Sequence, residues 1–289
     1  MNSINISPED LRLMQLNELE LLAEVDRICR KNNIIYSLDG GSLLGAVRHK
    51  GFIPWDDDAD VIFTRSEYDK FFEACKKDLN TEKFFLQEHR TDPFYRWGYS
   101  KLRLLGTEFV RSGQEHMKYK TGICIDVFVN DNVPDGCLSR RLHHAIHFCI
   151  RKILYSELGM VEAPRAFQRG VYKLLNKISV DRVFNIIRKI YTHYNAHPTK
   201  LICHTLFPTP GVGNKYGIDA SFLAESEDVE FEGMLFMAST KRHEYLTSLY
   251  GDYMTPPPAE KRHGPSYPSK LALLPVTLDE IHAEYDQNN

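Results

Sequence analysis

Residues 55–63 read Trp-Asp-Asp-Asp-Ala-Asp-Val-Ile-Phe, an acidic run that leads straight into apolar residues. Successive side chains of a strand alternate between its two faces, so a strand beginning at Asp58 would place Asp58 and Asp60 on one face. Ala59 and Val61 would then pack inward. The segment therefore predicts paired carboxylates at the mouth of a buried strand.

Paired carboxylates of this kind point to a divalent cation. Two neighbouring carboxylates repel each other, and each has a raised pKa unless a cation lies between them. Mg²⁺ prefers carboxylate oxygens and leaves coordination positions for phosphate, and Mn²⁺ accepts the same ligand type. The alternative is an exposed acidic turn, because runs of aspartate are usually solvated. The apolar continuation of the run favours the metal site.

Two further segments carry the same kind of signal. Gly40-Gly41-Ser42 separates a predicted strand at 34–38 from a predicted helix at 43–48. Backbone N–H groups at such a helix start can hold a phosphate. Residues 123–129 form an apolar strand pattern that contains Asp126. A lone buried carboxylate is costly, so Asp126 needs hydrogen-bond donors or a metal ion.

Around these segments the chain alternates helical and extended patterns. Ser7-Pro8-Glu9-Asp10 is typical of a helix start, and apolar residues then recur at helical spacing to about Arg30. Further strands are predicted at 58–63, 84–87, 99–105, 122–129 and 229–236, and helices at 66–78 and 241–250. This alternation predicts an α/β fold in which helices pack a sheet.

The order of the three chemical segments resembles the nucleotidyltransferase (polymerase-β-like) fold. A Gly-Ser turn at a helix start comes first, then an Asp-x-Asp strand, then a single Asp on a later strand. In that fold the paired carboxylates hold the metal and the third lies near the incoming nucleophile. Phosphoryl-type transfer needs both, because phosphate charge must be neutralised while the attacking oxygen is held in line. We therefore expect a nucleotidyltransferase-like mixed sheet packed by helices, with a helical insert.

A narrower resemblance covers residues 41–58, Gly-Ser-Leu-Leu-Gly-Ala-Val-Arg-His-Lys-Gly-Phe-Ile-Pro-Trp-Asp-Asp-Asp. This stretch resembles the signature of the LicD family, which includes fukutin and fukutin-related protein. Later segments resemble the same family, at 101–103 with Thr107, at 122–128, and at 250–254 followed by Arg262-His263. The similarity runs from the first helix to about residue 135 and resumes near residue 229. Two segments depart from the family pattern, at 129–131 and 238–239, and these departures concern loop geometry rather than chemistry.

The resemblance implies a cytidine-diphosphate-dependent phosphotransferase. Bacterial LicD proteins are similar to enzymes that move phosphocholine from CDP-choline onto a sugar hydroxyl of a surface glycan and release CMP. Such glycans include teichoic acid, lipopolysaccharide and capsule. The animal relatives move ribitol phosphate from CDP-ribitol, so ribitol phosphate and glycerol phosphate are alternative transferred groups. Two competing functions are those of a true nucleotidyltransferase and of a non-catalytic protein that docks on a glycan or lipid.

Expected roles follow for individual residues. Asp58 and Asp60 are expected to ligate Mg²⁺ (or Mn²⁺). Asp56 is expected to be a further ligand or a group that supports the ligands without touching the metal. Asp126 is expected to complete the metal site or to accept the proton of the acceptor hydroxyl. Phosphate contacts and neutralising cations are expected from Gly41, Ser42, Arg48, His49, Lys50, Lys101 and Arg103. Surface solvation is the alternative for any one of these cations, and Lys101 and Arg103 form the better pair because alternation along a strand puts them on one face.

Trp55 has two interpretations of equal weight. Its ring could stack on cytosine or cover choline through a cation–π contact. Alternatively, a tryptophan that follows Pro54 simply packs the turn. The sequence leaves both interpretations open.

Composition excludes several classes of protein. The 289 residues carry a net charge of −3 with a pI near 6.5, whereas a general nucleic-acid binder is strongly basic. Within these residues we find no run of apolar residues long enough for a membrane span and no secretory signal pattern. The six cysteines are scattered and lack a C-x-x-C pair, which favours reduced core residues. We expect a cytoplasmic protein, peripheral on the inner face of the membrane if it binds membranes at all.

The charge is distributed unevenly along the chain. Residues 137–204 contain twelve Lys and Arg against three acids, a net +9, which leaves −12 for the remainder. Turn signals are few there, so we predict a basic helical insert at 137–204 within a catalytic core of 1–136 and 205–289. Basic amphipathic helices can lie on an anionic membrane, although ordinary helices with one solvated face are the more frequent case.

Histidines and cysteines near this insert invite a zinc interpretation. His143 and His147 are spaced to share one side of a helix, with Cys137 and Cys149 nearby, and a second group comprises His193, His197 and Cys203. No close cysteine pair anchors either group as in structural zinc sites. We therefore favour core or surface histidines.

Overall fold

The computed structural model describes residues 4–205, 216–262, 264 and 267–288. Its helices are α1 (Pro8–Lys31), α2 (Gly40–His49), α3 (Arg65–Asp78), α4 (Cys137–Leu154), α5 (Ser156–Glu162), α6 (Ala166–Leu175), α7 (Val180–Tyr194), α8 (Arg242–Tyr250) and α9 (Leu278–Asn288). Its strands are β1 (Ser37–Leu38), β2 (Asp60–Thr64), β3 (Phe84–Gln87), β4 (Ser100–Leu104), β5 (Glu108–Arg111), β6 (Cys124–Val133), β7 (Leu201–His204), β8 (Ile218–Asp219), β9 (Ser226–Phe231), β10 (Met234–Ser239) and β11 (Pro268–Ala272). Short 3₁₀ turns lie at Ala220–Leu223 and Ala259–Lys261.

The main sheet is mixed and has its strands in the order β1-β2-β6-β4-β3, with β7 also on β6 and β8 on β7. β2 and β6 run parallel, while β4 and β7 pair with β6 in the antiparallel direction. The long strand β6 therefore contacts three neighbours and lies at the centre of the sheet. Its central position explains the apolar pattern at 123–129, because Ile125 and Val127 are fully buried.

Helix α1 supplies much of the core on one face of this sheet. Its start is capped as predicted, since the Ser7 side chain accepts a hydrogen bond from the Asp10 backbone N–H and Pro8 is the first helical residue. Leu19 and Ile28 are among the apolar residues of α1 that have no exposed surface. The burial of this stripe holds α1 against the sheet.

The predicted α/β class is confirmed, with differences at particular boundaries. The strand predicted at 84–87 has those bounds, but β1 covers only Ser37–Leu38 of the predicted 34–38, and β6 continues past residue 129 to Val133. β2 begins at Asp60 rather than at Asp58, because its pairing with β6 starts only at the Asp60–Asp126 pair. The pair of β5 with β11 was not predicted, since these strands are far apart in sequence and only tertiary packing joins them.

Residues 137–194 form the four helices α4–α7, which have a small core of their own. That core contains Ile150, Leu154, Val183, Phe184 and Ile187. β7, at 201–204, lies inside the range predicted for the insert but pairs with β6 of the main sheet. Among the helices of the described ranges, we find none with the length and apolar composition that a bilayer crossing requires.

A buried ion pair joins these helices to the sheet. Arg65, the first residue of α3, makes a two-point contact with Asp131 of β6 at 2.9 and 2.8 Å. Asp131 is 2% exposed and also accepts hydrogen bonds from Asn195, which follows α7, and from Thr205. The Arg65 guanidinium lies 4.1 Å from the centroid of the Tyr191 ring on α7. This contact fixes α7 against the sheet.

Candidate active site

Five aspartates converge where β2 and β6 begin. Asp60 and Asp126 are direct register partners on these parallel strands. Asp56, Asp57 and Asp58 lie in the segment before β2, and one carboxylate oxygen from each falls within 4.8 Å of the others. The structure thus brings together the four predicted carboxylates and adds Asp57, which the sequence pattern did not single out.

The carboxylates perturb one another. Burial, followed by the charges of Asp58 and Asp57, raises the pKa of Asp56 to about 8. Burial, followed by Asp126 and Asp57, raises the pKa of Asp58 to about 6. For Asp60, burial and then the charges of Asp58 and Asp126 raise the pKa well above its ordinary value. Three acids with these shifts in one place form a donor set that suits a divalent cation, because only a cation relieves their mutual repulsion.

Glu18 of α1 extends this acidic group and was missed in the sequence. It is 2% exposed, and its Oε2 atom has no hydrogen-bond partner among the described residues. Burial, then the charge of Asp58, raises its pKa well above the ordinary value. The signal was present in the sequence, since Glu18 falls four residues after Met14 on the apolar stripe of α1, where an acid is out of place.

Lys101 and Arg103 share a face of β4, as predicted, but have different surroundings. Lys101 lies opposite Asp126 in the register and forms an ion pair with it. Burial lowers the pKa of Lys101, and the Asp126 carboxylate more than offsets this, so the pKa is raised overall. Arg103 is 4% exposed and donates hydrogen bonds to Gln87 Oε1 and to the Gly122 carbonyl oxygen. Lys101 is therefore bound directly to the acidic group, whereas the hydrogen bonds of Arg103 go to Gln87 and to the backbone at Gly122.

The Gly-Gly-Ser turn begins α2 and faces the carboxylates. The Ser42 hydroxyl accepts a hydrogen bond from the Asp60 N–H at 2.9 Å, which ties the helix start to β2. A Cβ on Gly41 would lie 2.3 Å from Asp56 Oδ2. Gly40 has a φ of +50°, and a Cβ there would lie 3.3 Å from Asp60 Oδ2. Glycine is required here because the two carboxylates approach the backbone of the helix start.

We expect Gly41→Ala to lower phosphotransfer activity about 10²-fold, because a methyl group displaces the Asp56 carboxylate by about an ångström. The melting temperature should change little, since alanine favours the helix more than glycine does. Gly170→Ala is the matched control, because a Cβ at this α6 position meets nothing within 4 Å. Equal activity of the two variants would contradict the role of Gly41.

The remaining predicted residues lie at the other end of α2. Arg48 donates a hydrogen bond to the Tyr253 carbonyl oxygen at 2.6 Å, and Lys50 is an exposed C-cap. The His49 and Trp55 rings contact each other edge to face at 6.2 Å. Arg262 lies 5.2 Å from the centroid of the Trp55 ring. Arg48, His49 and Trp55 thus contact one another or the segment at 253–262, whereas Lys50 is exposed. None of these four predicted residues lines the cavity described next.

A cavity of about 450 Å³ opens beside the carboxylates. Asp58, Asp126 and Lys101 lie on its wall, and Glu18 contributes from α1. Aromatic and basic side chains complete the lining, among them Trp97, Tyr99, Tyr119, Tyr155, Arg111 and Arg151. The cavity therefore combines an acidic end with cations and flat aromatic surfaces, and a small phosphorylated molecule of nucleotide size suits that combination.

The helical region forms part of this cavity. Arg151, Lys152 and Leu154 from the end of α4 line it, together with Tyr155 and Leu158. The basic segment therefore supplies a wall of the candidate site. His143 and His147 lie on the same helix but do not line the cavity, and both are buried. Their ring centroids are 4.1 Å apart, and His143 Nδ1 lies 2.9 Å from the Tyr216 hydroxyl.

Comparison with known proteins supports the resemblance. Residues 33–123 match the family model LicD, described as the LicD/FKTN/FKRP nucleotidyltransferase domain. That range contains the α2 turn, the aspartates at 56–60 and Lys101, and it ends three residues before Asp126.

Individual relatives agree with the family match. The chain is 29% identical over 258 residues to the lipopolysaccharide cholinephosphotransferase LicD of Haemophilus influenzae, which covers 86% of this chain and 93% of the relative. Uncharacterised proteins of Rickettsia prowazekii and Rickettsia typhi are each 48% identical over 46 residues, 16% of this chain. Residues 33–123 therefore match the LicD family model, and most of the chain is similar to a phosphotransferase that is named LicD.

Proposed function

We propose that this protein transfers phosphocholine from CDP-choline onto a sugar hydroxyl of a lipopolysaccharide or related surface glycan and releases CMP. The observation that carries the proposal is the cavity of about 450 Å³, which joins an acidic end to a basic and aromatic wall. Its support is the similarity to a relative named as a lipopolysaccharide cholinephosphotransferase along most of both chains.

Asp56, Asp58 and Asp60 are the residues that would hold Mg²⁺ or Mn²⁺, with Asp57 and Asp126 beside them. Their raised pKa values are the observation that fits a bound cation. When bound, the ion would neutralise charge on the pyrophosphate of the donor and orient it. The nucleotidyltransferase-like arrangement of metal and substrate is part of this proposal.

The reaction moves one phosphoryl group. The oxygen of the acceptor hydroxyl forms a bond to the phosphorus that carries choline, and the bond from that phosphorus to CMP breaks. Lys101 and Arg111, which line the cavity, would stabilise negative charge on the phosphates. The hydroxyl proton would pass to Asp126, which its ion pair with Lys101 holds in place.

The aromatic residues of the cavity would bind the flat cytosine base and the cationic choline group of the donor. Trp97 and Tyr155 lie with ring centroids 6.4 Å apart, and both line the cavity. Such rings can stack on cytosine or cover a quaternary ammonium group. Trp55, whose ring contacts Arg262 and His49, is not needed for this role.

We expect CMP to accumulate when the purified chain is incubated with CDP-choline, Mg²⁺ and purified lipopolysaccharide, as followed by ³¹P NMR. Parallel reactions with CDP-ribitol and CDP-glycerol identify which phospho-alcohol is transferred. The same reaction with a chelator tests whether activity requires Mg²⁺. Choline should appear on the glycan in proportion to CMP. A further reaction contains CTP in place of the CDP donors. Release of pyrophosphate from CTP, with no CMP released from the CDP donors, would contradict the proposal and favour nucleotidyl transfer. No turnover of any donor would favour a docking protein.

A further inference from the structure

Helix α6 exposes an apolar face. None of its residues is buried, although a helix of a globular protein normally buries its apolar stripe. Phe167 is 80% exposed, Leu174 is 64% exposed and Val171 is 38% exposed. These residues recur at the spacing of one helix side, and Ile178 follows the same spacing beyond the helix end at 38% exposure. An apolar side that faces water over nearly three turns is costly unless something covers it.

Helix α4 also exposes apolar side chains. It contacts α6, and its residues Leu138 and Leu142 are 81% and 62% exposed, one helical turn apart. A separate side of α4, with Ile150 and Leu154, is buried in the core of the helical region. We define the insert surface as Leu138, Leu142, Phe167, Val171 and Leu174.

Positive charge surrounds the insert surface. Neither α4 nor α6 contains an Asp or Glu. The basic residues on or next to these two helices include Arg140, Arg141, Arg165, Arg169, Lys173 and Lys177. A second copy of this chain would bring two surfaces of like charge together, which opposes self-association. An anionic lipid surface supplies both an apolar interior for the exposed side chains and negative headgroups for the bases.

We propose that the insert surface binds the interface of an anionic membrane. Phe167 and Leu174 enter the region between the headgroups and the acyl chains, and the exposed Lys173 and Lys177 contact lipid phosphates. The end of α4 lines the cavity beside the carboxylates, so this binding places the candidate active site next to the lipid surface. This inference stands on the exposed side chains and their charge, independently of the proposed reaction.

The test is co-sedimentation of the full chain with vesicles, without donor, acceptor or metal. Vesicles of phosphatidylcholine with about 30% phosphatidylglycerol should retain the protein at low salt, and vesicles of phosphatidylcholine alone should retain far less. The variant Phe167→Gln/Leu174→Gln should lower the partition coefficient about 10²-fold. Lys173→Gln/Lys177→Gln should lower it about 25-fold. Leu235→Gln, a 51% exposed residue of β10, is the matched control and should bind like the native chain.

Two results would overturn the proposal. One is the absence of retention on anionic vesicles at low salt, and the other is unchanged retention of Phe167→Gln/Leu174→Gln. Because the substituted side chains are exposed, circular dichroism should show all variants folded. Sedimentation velocity without lipid detects the competing outcome, a dimer that Phe167→Gln/Leu174→Gln abolishes. Vesicle binding by a chain that releases no CMP would overturn the proposed reaction and leave this inference intact.

Discussion

Asp58→Asn should lower phosphotransfer about 10³-fold while making the metal-free protein more stable. The charges of Asp126 and Asp57 both act on this carboxylate, and one of its oxygens lies within 4.8 Å of oxygens of Asp56 and Asp57. Asparagine keeps the size of the side chain but removes the charge that would bind the cation. The loss of activity and the gain in stability share this cause.

The stability gain follows from the direction of the pKa shift. Burial, followed by Asp126 and Asp57, raises the pKa of Asp58 to about 6 in the folded protein. An aspartate with a raised pKa destabilises the fold once the pH exceeds the value of the unfolded chain, about 3.9, and does so fully above the folded value. At pH 8 in the presence of a chelator we therefore expect Asp58→Asn to unfold at a higher urea concentration than the native chain. The free energy of unfolding should be about 2 kcal/mol larger.

Three measurements separate the outcomes for this variant. CMP release reports activity, urea unfolding with a chelator reports stability, and the rise in melting temperature on adding Mg²⁺ reports binding. That rise should be present in the native chain and reduced in Asp58→Asn. Asp286→Asn, an exposed position of α9, should match the native chain in all three. Near-native turnover of a folded Asp58→Asn would show that the metal is held elsewhere.

Arg65→Met should destabilise the protein by about 3–5 kcal/mol at pH 7, the second large effect we expect. Removing the guanidinium leaves the Asp131 carboxylate, 2% exposed, without its ionic partner. It also removes the contact of Arg65 with the Tyr191 ring, which holds α7 to the sheet. Loosening α7 should in turn disturb the helical wall of the cavity, so donor affinity should weaken as well.

The pH dependence provides a second readout. Burial raises the pKa of Asp131, but Arg65 and the hydrogen bonds from Thr205 and Asn195 outweigh it and lower the pKa overall. The native contribution of Asp131 is therefore present above the unfolded value of about 3.9 and is lost as the pH falls through the folded value. Without Arg65, burial raises the pKa of Asp131 above its ordinary value. The Arg65→Met variant should therefore become more stable as the pH falls from 7 to 5, whereas the native chain gains no stability from this site over that range.

Urea unfolding at the two pH values checks this prediction. Lys70→Met is the matched control, because Lys70 forms an ion pair with Glu67 on the same helix but is 57% exposed, and its loss should cost less than about 1 kcal/mol. Adding Asp131→Asn to Arg65→Met should restore part of the stability. If Arg65→Met cost no more than Lys70→Met, the buried pair would not be what joins α7 to the sheet.

Much of the fold could be predicted because the patterns that define helices and strands are local. The capped start of α1 at Ser7 and Pro8 and the apolar run of β3 each lie within a few adjacent residues. The start of β2 could not be predicted, because it depends on where β6 begins to pair with it. The pairing of β5 with β11 depends on chain folding across more than 150 residues and leaves no local signal.

The aspartates could be selected because they lie in one short segment and on one recognisable strand. Their contacts with other side chains could not be predicted, because these contacts join distant parts of the chain. Glu18 comes from α1, and Lys101 reaches Asp126 only through the register of β4 against β6. Arg48 was also expected to supply a cation for phosphate, yet its guanidinium bonds to the Tyr253 carbonyl oxygen.

The sequence by itself determined the α/β class, the capped start of α1 and the four aspartates Asp56, Asp58, Asp60 and Asp126, because alternation, helical spacing and the acidic motif are written in consecutive residues. Only the tertiary structure decided which cation pairs with which acid and that the basic helices form a wall of the cavity. It also decided that the apolar residues of α6 face solvent. The physical reason is that burial and charge pairing depend on distances across the folded chain, which sequence spacing does not contain.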